Sequence, residues 1–171
     1  GTGTGSGAYT QTGGQATLAT NATASSTIKI QTVRTARYIP ANTNYMHSQV
    51  QTPTQGGACV RRWGAFSNTD GYFYQYDGTN IACMARKSSV DSTVANGAFN
   101  GNYGIAMAMD TNINTYEIYW TNKKAYYFVN DDILYTLDSS TTTAVATPSL
   151  PARAECNNGT GNTTNNTLVL R

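Results

Sequence analysis

Apolar and polar residues along this chain alternate with a period of two in short runs, and no stretch sustains the 3.6-residue spacing of a helix face. Ile28-Lys29-Ile30-Gln31 reads as a half-buried strand, and Tyr38-Ile39-Pro40 ends a second extended piece at a proline that cannot donate to a ladder. Tyr45 to Val50 is a weaker strand. The strongest hairpin joins Gly71–Tyr76 to Ile81–Arg86 across Asp77-Gly78-Thr79-Asn80, because Asp-Gly supplies the positive φ that matches strand twist. Ile105–Met109 reads as a further strand with its larger residues on one face. Tyr116–Trp120 and Ala125–Val129 form another hairpin, Ile133–Leu137 follows Asp131-Asp132, and Thr167–Leu170 closes the chain. About ten short strands with turn signals every 8–12 residues predict an all-β antiparallel sandwich or jelly roll with little or no helix. The spacing places Ile118, Trp120 and Phe128 toward the core and Glu117 toward solvent.

The first segment breaks this pattern. Residues 1–27 are Gly, Thr, Ala and Ser with very few large apolar side chains, a composition that cannot bury a core of its own. The expected organisation is an extended, low-complexity arm over 1–27 and a sandwich domain over 28–171, with the arm adding a strand to a neighbouring subunit. The chain starts at Gly1 without a charged-then-apolar leader, which fits a processed protein or a piece of a longer one.

Composition supports the β reading and removes several functions. Charged residues make up 12% of the chain, and its 12 tyrosines and many threonines suit pleated strands. A net charge of +2 is too small an electrostatic footprint for nucleic acid, and the clusters Arg61-Arg62 and Lys123-Lys124 read as solvated strand faces. No run approaches the ~20 apolar residues of a membrane span. Cys59, Cys83 and Cys156 are widely spaced and odd in number, compatible with one bridge plus a free thiol or with buried thiols. No Cys/His cluster suggests zinc, and no cofactor motif is present. The Asn-x-Thr sequons at Asn21, Asn158, Asn162 and Asn165 are expected by chance in a chain this rich in both residues.

Candidate chemistry is thin. His47 is the one histidine, and no G-x-S-x-G elbow presents a serine to it. Asn130-Asp131-Asp132 could chelate calcium, but the same residues serve a hairpin turn, which is the favoured reading. The tyrosines are more informative. Tyr72, Tyr74, Tyr76, Tyr116, Tyr119, Tyr126 and Tyr127 cannot all face inward, because strand neighbours alternate. Tyr72, Tyr74, Tyr119 and Tyr127 are the candidates for subunit contact or glycan stacking.

Two resemblances bear on these readings. Tyr116-Glu117-Ile118-Tyr119-Trp120, followed by Ala125 to Thr136, resembles the Y-x-I-x-W strand and F-x-V-D-G hairpin of concanavalin A-like jelly rolls, a group of lectins and laminarinase-type glucanases. The glucanases carry paired carboxylates as E-x-D-x-x-E; here Glu117 and Glu155 are remote in sequence and Asp110 lies off the Glu117 strand, so no enzymatic activity is expected. The blocks Thr32–Pro40, Arg62–Phe66, Asp70–Tyr74 and Pro148–Glu155 resemble the segment order of a phage virion-protein family, with an L-P-x-R-x-E turn near the end. That resemblance implies a non-enzymatic structural protein on a virion surface or otherwise extracellular, a decoration, fibre or tail-associated domain. It would contact other virion subunits and form a homo-oligomer. A lectin-like or receptor-binding module for a host-surface glycan, and a surface-filament subunit, are the alternatives.

Overall fold

The computed structural model describes residues 2–35, 42–121, 123–138 and 149–171. Among them the chain forms fourteen strands in two seven-stranded sheets. The first sheet runs, in spatial order, β1 (Thr2–Thr4), β4 (Thr27–Gln31), β13 (Ala152–Asn158), β6 (Cys59–Phe66), β7 (Gly71–Tyr76), β8 (Ile81–Lys87) and β9 (Val90–Ala95). The second runs β12 (Asp132–Asp138), β11 (Lys124–Val129), β10 (Ile113–Trp120), β5 (Asn44–Gln51), β14 (Thr167–Leu170), β3 (Gln15–Ala19) and β2 (Ala8–Thr12). Every recorded pairing is antiparallel. The expected all-β sandwich is thus the observed fold.

The inner faces meet in a core rich in aromatic rings. Trp63 on β6 stacks 5.9 Å from Tyr74 and edge-on 4.9 Å from Tyr116, and Tyr74 meets Tyr127 at 5.4 Å. Tyrosine occupies these places because its hydroxyl reaches the opposite sheet, where a buried O–H requires an acceptor. The Tyr74 hydroxyl, from the first sheet, donates to the carbonyls of Glu117 and Phe128 at 2.9 and 2.7 Å. The Tyr127 hydroxyl crosses the other way to the Met84 carbonyl at 2.6 Å. Burial pushes both phenols well above their ordinary pKa.

Turn chemistry follows the sequence closely. Gly78 has φ +99°, and Asp77 Oδ1 accepts from the backbone N–H of Thr79 and Asn80 at 2.8 and 2.7 Å. Asn130 and Asp131 both adopt left-handed φ, 51° and 71°, as a two-residue hairpin turn demands. The Asn130 side chain ties that turn to the neighbouring β10: Oδ1 accepts from the Thr115 N–H and Nδ2 donates to Asn114 Oδ1.

Several expectations are corrected. Residues 2–19 are no detached arm: β1 pairs with β4, β3 with β14 and β2 with β3, and Leu18 is fully buried in the core. A strand poor in large side chains lacks a signal of its own, yet a ladder needs only backbone. Phe128 pairs directly with Glu117 and shares its outer face, so only Ile118 and Trp120 of the expected trio are core residues. Ile105–Met109 is not a strand; Ile105 is 69% exposed, while the Met107 N–H bonds the Asn96 side chain instead of a ladder. Arg61 and Arg62 share no solvated face, because adjacent strand residues point oppositely. Arg61 is buried in the core 5.8 Å from the Tyr76 ring, and Arg62 is ion-paired on the outside. The stretch following Pro151 begins β13 and is not merely a turn. Tyr38–Pro40 lies outside the described residues. All three cysteines are buried thiols, with Cys59 and Cys156 sulfurs 3.5 Å apart.

Asparagines close one end of the sandwich. Asn158 Nδ2 lies within 3.4 Å of the carbonyls of Asn21, Thr23, Asn162 and Thr164, and its Oδ1 accepts from Thr20 and from Asn166 Nδ2 at 3.0 Å each. Two of the four sequon asparagines, Asn158 and Asn162, are therefore buried structural groups.

Candidate functional site

The outer face of the second sheet carries an aromatic platform. Register sets Tyr126, Tyr119 and Tyr45 side by side across β11, β10 and β5, and in the next row Phe128, Glu117 and His47. All six point outward because Ala125, Tyr127, Ile118, Trp120, Met46 and Ser48 take the inward parity. Tyr45 is 48% exposed, and its ring lies 4.5 Å from Tyr119; Tyr119 meets Phe128 edge-on at 5.3 Å. The Tyr45 hydroxyl donates to Glu117 Oε1. Partial burial, then the Glu117 carboxylate, pushes that phenol well above its ordinary pKa, so it remains a donor through neutral pH. The result is a cluster of mutually tilted rings around one oriented carboxylate.

The outer face of the first sheet is built over. Phe66 and Phe73 stack at 4.5 Å and are fully buried, the Arg153 guanidinium lying 4.9 Å from one ring and Arg86 5.0 Å from the other. Glu155 accepts from Arg62 at 2.9 Å and from two nitrogens of Arg153 at 3.0 and 2.5 Å, while Arg86 grips Asp91 at 2.6 and 2.9 Å. Burial would raise the Glu155 pKa, but the two arginines outweigh it and hold the carboxyl below its ordinary value. Glu155 is thus a charged structural partner, unsuited to donating a proton at neutral pH.

Glu117 and Glu155 consequently stand on opposite outer faces, separated by at least the ~10 Å spacing of two packed sheets. Glycosidic carboxylate pairs sit about 5–5.5 or 6.5–9.5 Å apart across one bond, so these two cannot act together. Among the described residues no group of three or more His, Cys, Asp or Glu side chains gathers as a metal site.

Of the four tyrosines singled out from sequence, the structure leaves only Tyr119 at a surface. Tyr72, Tyr74 and Tyr127 are buried core rings and cannot touch a glycan or a subunit. Tyr45, the exposed tyrosine of the platform, was missed because its strand reads weakly; alternation of Tyr45, His47 and Gln49 with Met46, Ser48 and Val50 was the available signal.

No family model matches the chain, and no curated protein does. Solved structures match the fold. A β-1,3-glucanase from Mycobacterium marinum superposes with TM-score 0.65 at 7% identity, covering 92% of this chain and 72% of its own. An immunostimulatory antigen and pseudo β-1,3-glucanase of Mycobacterium tuberculosis gives 0.63 at 5% identity, with 92% and 72% coverage. The carbohydrate-binding module CBM66 from Bacillus subtilis gives 0.54 at 9% identity, with 96% and 88% coverage. The chain therefore has the concanavalin A-like jelly-roll fold of glycoside hydrolases and carbohydrate-binding modules. These similarities give the virion reading no support.

Proposed function

We propose that the domain is a non-catalytic carbohydrate-binding module whose platform is Tyr45 and Tyr119, with Glu117 as the hydroxyl acceptor. The observation that carries this reading is the half-exposed Tyr45 ring, 4.5 Å from Tyr119 and bonded to Glu117. Sugar C–H faces stack on such rings, and Glu117 retains a second oxygen for a sugar hydroxyl. The likeness of fold to a carbohydrate-binding module and to a pseudo-glucanase supports it. Calorimetric titration with neutral oligosaccharides, beginning with β-1,3-glucan fragments, tests it. Tyr45→Ala and Tyr119→Ala should each weaken binding roughly tenfold, about 1.4 kcal/mol. Undiminished binding by both variants, or no binding of any neutral glycan, overturns the reading.

One observation favours a second reading, a subunit of an extracellular assembly such as a virion. β2 and β9 are edge strands with largely exposed residues, Val90 among them, and such edges accept another chain. Sedimentation of a monomer at all concentrations up to millimolar would dismiss self-assembly through them.

A further inference from the structure

The side chain of Arg61 is fully buried on the inner face of β6, and none of its three guanidinium nitrogens has a hydrogen-bond partner among the described residues. The Tyr76 ring at 5.8 Å offers a π face but no negative charge. A buried cation without an anion is costly, and a core that keeps one ordinarily supplies the counter-charge. Two thiols stand beside it. Cys156 on β13 is the direct cross-strand neighbour of Arg61, and Cys59 lies two residues before Arg61 on the same face of β6. Their sulfurs are 3.5 Å apart, both residues are buried, and 97 positions separate them in sequence. Cys83 is set apart on β8, with β7 between it and β6. The hydrogen bond from the Cys156 thiol, with Arg61 acting in the same direction, holds the Cys59 thiol below its ordinary pKa despite burial, while the same contact and burial push Cys156 up. The thiolate of this pair therefore belongs to Cys59, where it faces Arg61.

We infer that Cys59, Cys156 and Arg61 form a redox site: the two sulfurs join as a disulfide under oxidising conditions and, on reduction, return a thiolate–thiol pair to Arg61. The strands are already paired, and a bond of about 2 Å asks the sulfurs to approach by about 1.5 Å. The oxidant is a small-molecule disulfide. The Cys59 thiolate attacks one of its sulfurs and expels a thiolate; Cys156, giving its proton to that leaving thiolate, then attacks the Cys59 sulfur of the mixed disulfide and expels the second. Two protein thiols and one external disulfide become one protein disulfide and two external thiols. Because both sulfurs are sealed in the core, the exchange takes place in chains that are folding or locally opened. Arg61 sets the poise: oxidation removes the anion that it faces, so the reduced form is favoured and the bond is readily reduced. The site lies between the sheets and the Tyr45–Tyr119 platform outside them, so either can fail without the other.

The test refolds the full chain in glutathione buffers of graded disulfide-to-thiol ratio, quenches it in acid, counts thiols by maleimide labelling of the denatured chain, and maps any bridge by peptide mass. With glutathione disulfide in excess, the count should fall from three thiols to one, and the bridge should join Cys59 to Cys156. Cys83→Ala should keep that bridge and leave no thiol. Arg61→Met should move the equilibrium toward the disulfide by at least about tenfold, or about 30 mV; Arg61→Gln takes its place should methionine not fold. Three thiols at every ratio, glutathione adducts without a bridge, or a bridge that includes Cys83 overturns the site. An equilibrium unmoved in a folded Arg61 variant overturns the part given to Arg61.

Discussion

The two tyrosines that cross the sandwich offer the sharpest test of how it is held. Tyr74→Phe removes one hydroxyl from a fully buried ring and leaves the Glu117 and Phe128 carbonyls facing an aromatic C–H. Volume hardly changes, so the cavity contribution is nearly nil, and the cost is that of a buried acceptor losing its donor, about 1–3 kcal/mol. Tyr127→Phe makes the reciprocal change at the Met84 carbonyl and should fall in the same range. Because the rings touch at 5.4 Å, the double variant should depart from additivity by at least about 0.5 kcal/mol. In urea, with slopes of about 1–3 kcal/mol per molar, each single change moves the midpoint down by roughly 1 M at an unchanged slope. Tyr126→Phe, on the outer face, is the control and should stay within about 0.5 kcal/mol of the parent. Losses below about 0.5 kcal/mol for both Tyr74→Phe and Tyr127→Phe would show that ring packing alone joins the sheets.

The same phenols dictate the alkaline limit. Burial raises the pKa of Tyr74, Tyr116 and Tyr127 in the fold, whereas the unfolded chain ionises near 10. Above that pH the unfolded state has lost protons that the fold retains, so stability is complete below about pH 10 and declines as pH rises further. Absorbance at 295 nm should show these phenolates appearing only together with loss of the β-sheet dichroism; their ionisation within an intact fold would contradict the burial. Asn158→Ala, which removes an amide from four carbonyls and three donors, should cost roughly 2–4 kcal/mol by urea denaturation. A chain beginning at Ser26 loses Leu18 from the core, a change worth at least about 2–5 kcal/mol; a melting temperature within a few degrees of the parent would restore the view of that segment as an arm.

The hairpins β7–β8 and β10–β11–β12 were readable because each joins alternating apolar runs through residues suited to positive φ, Asp77-Gly78 and Asn130-Asp131. β13 was not, because its inward positions are Ala154 and Cys156 and its outward ones Arg153 and Glu155, small groups inside and charged ones outside that resemble a polar turn. The site was half readable for a related reason. Strand alternation splits aromatics into two faces but does not say which face is inward. In β7 the intuitive assignment fails: Tyr72 and Tyr74 go in, where carbonyls await their hydroxyls, and Phe73 goes out, where Arg86 covers it. Only the second sheet, seen in register, picks out Tyr119 and adds Tyr45.

The place of β14 governs when this protein can finish folding. β14 lies between β5 and β3, and the β2–β3 hairpin reaches the rest of its sheet through that strand. Residues 8–19 thus await residues 167–170, which are synthesised long after them, before their edge is occupied. During synthesis the early hairpin is a Thr- and Gly-rich ribbon with a vacant edge, and its sparse apolar content limits its tendency to adhere to other nascent chains while it waits. The composition that hid these strands from a pattern search is the one suited to so long a delay between making a strand and placing it.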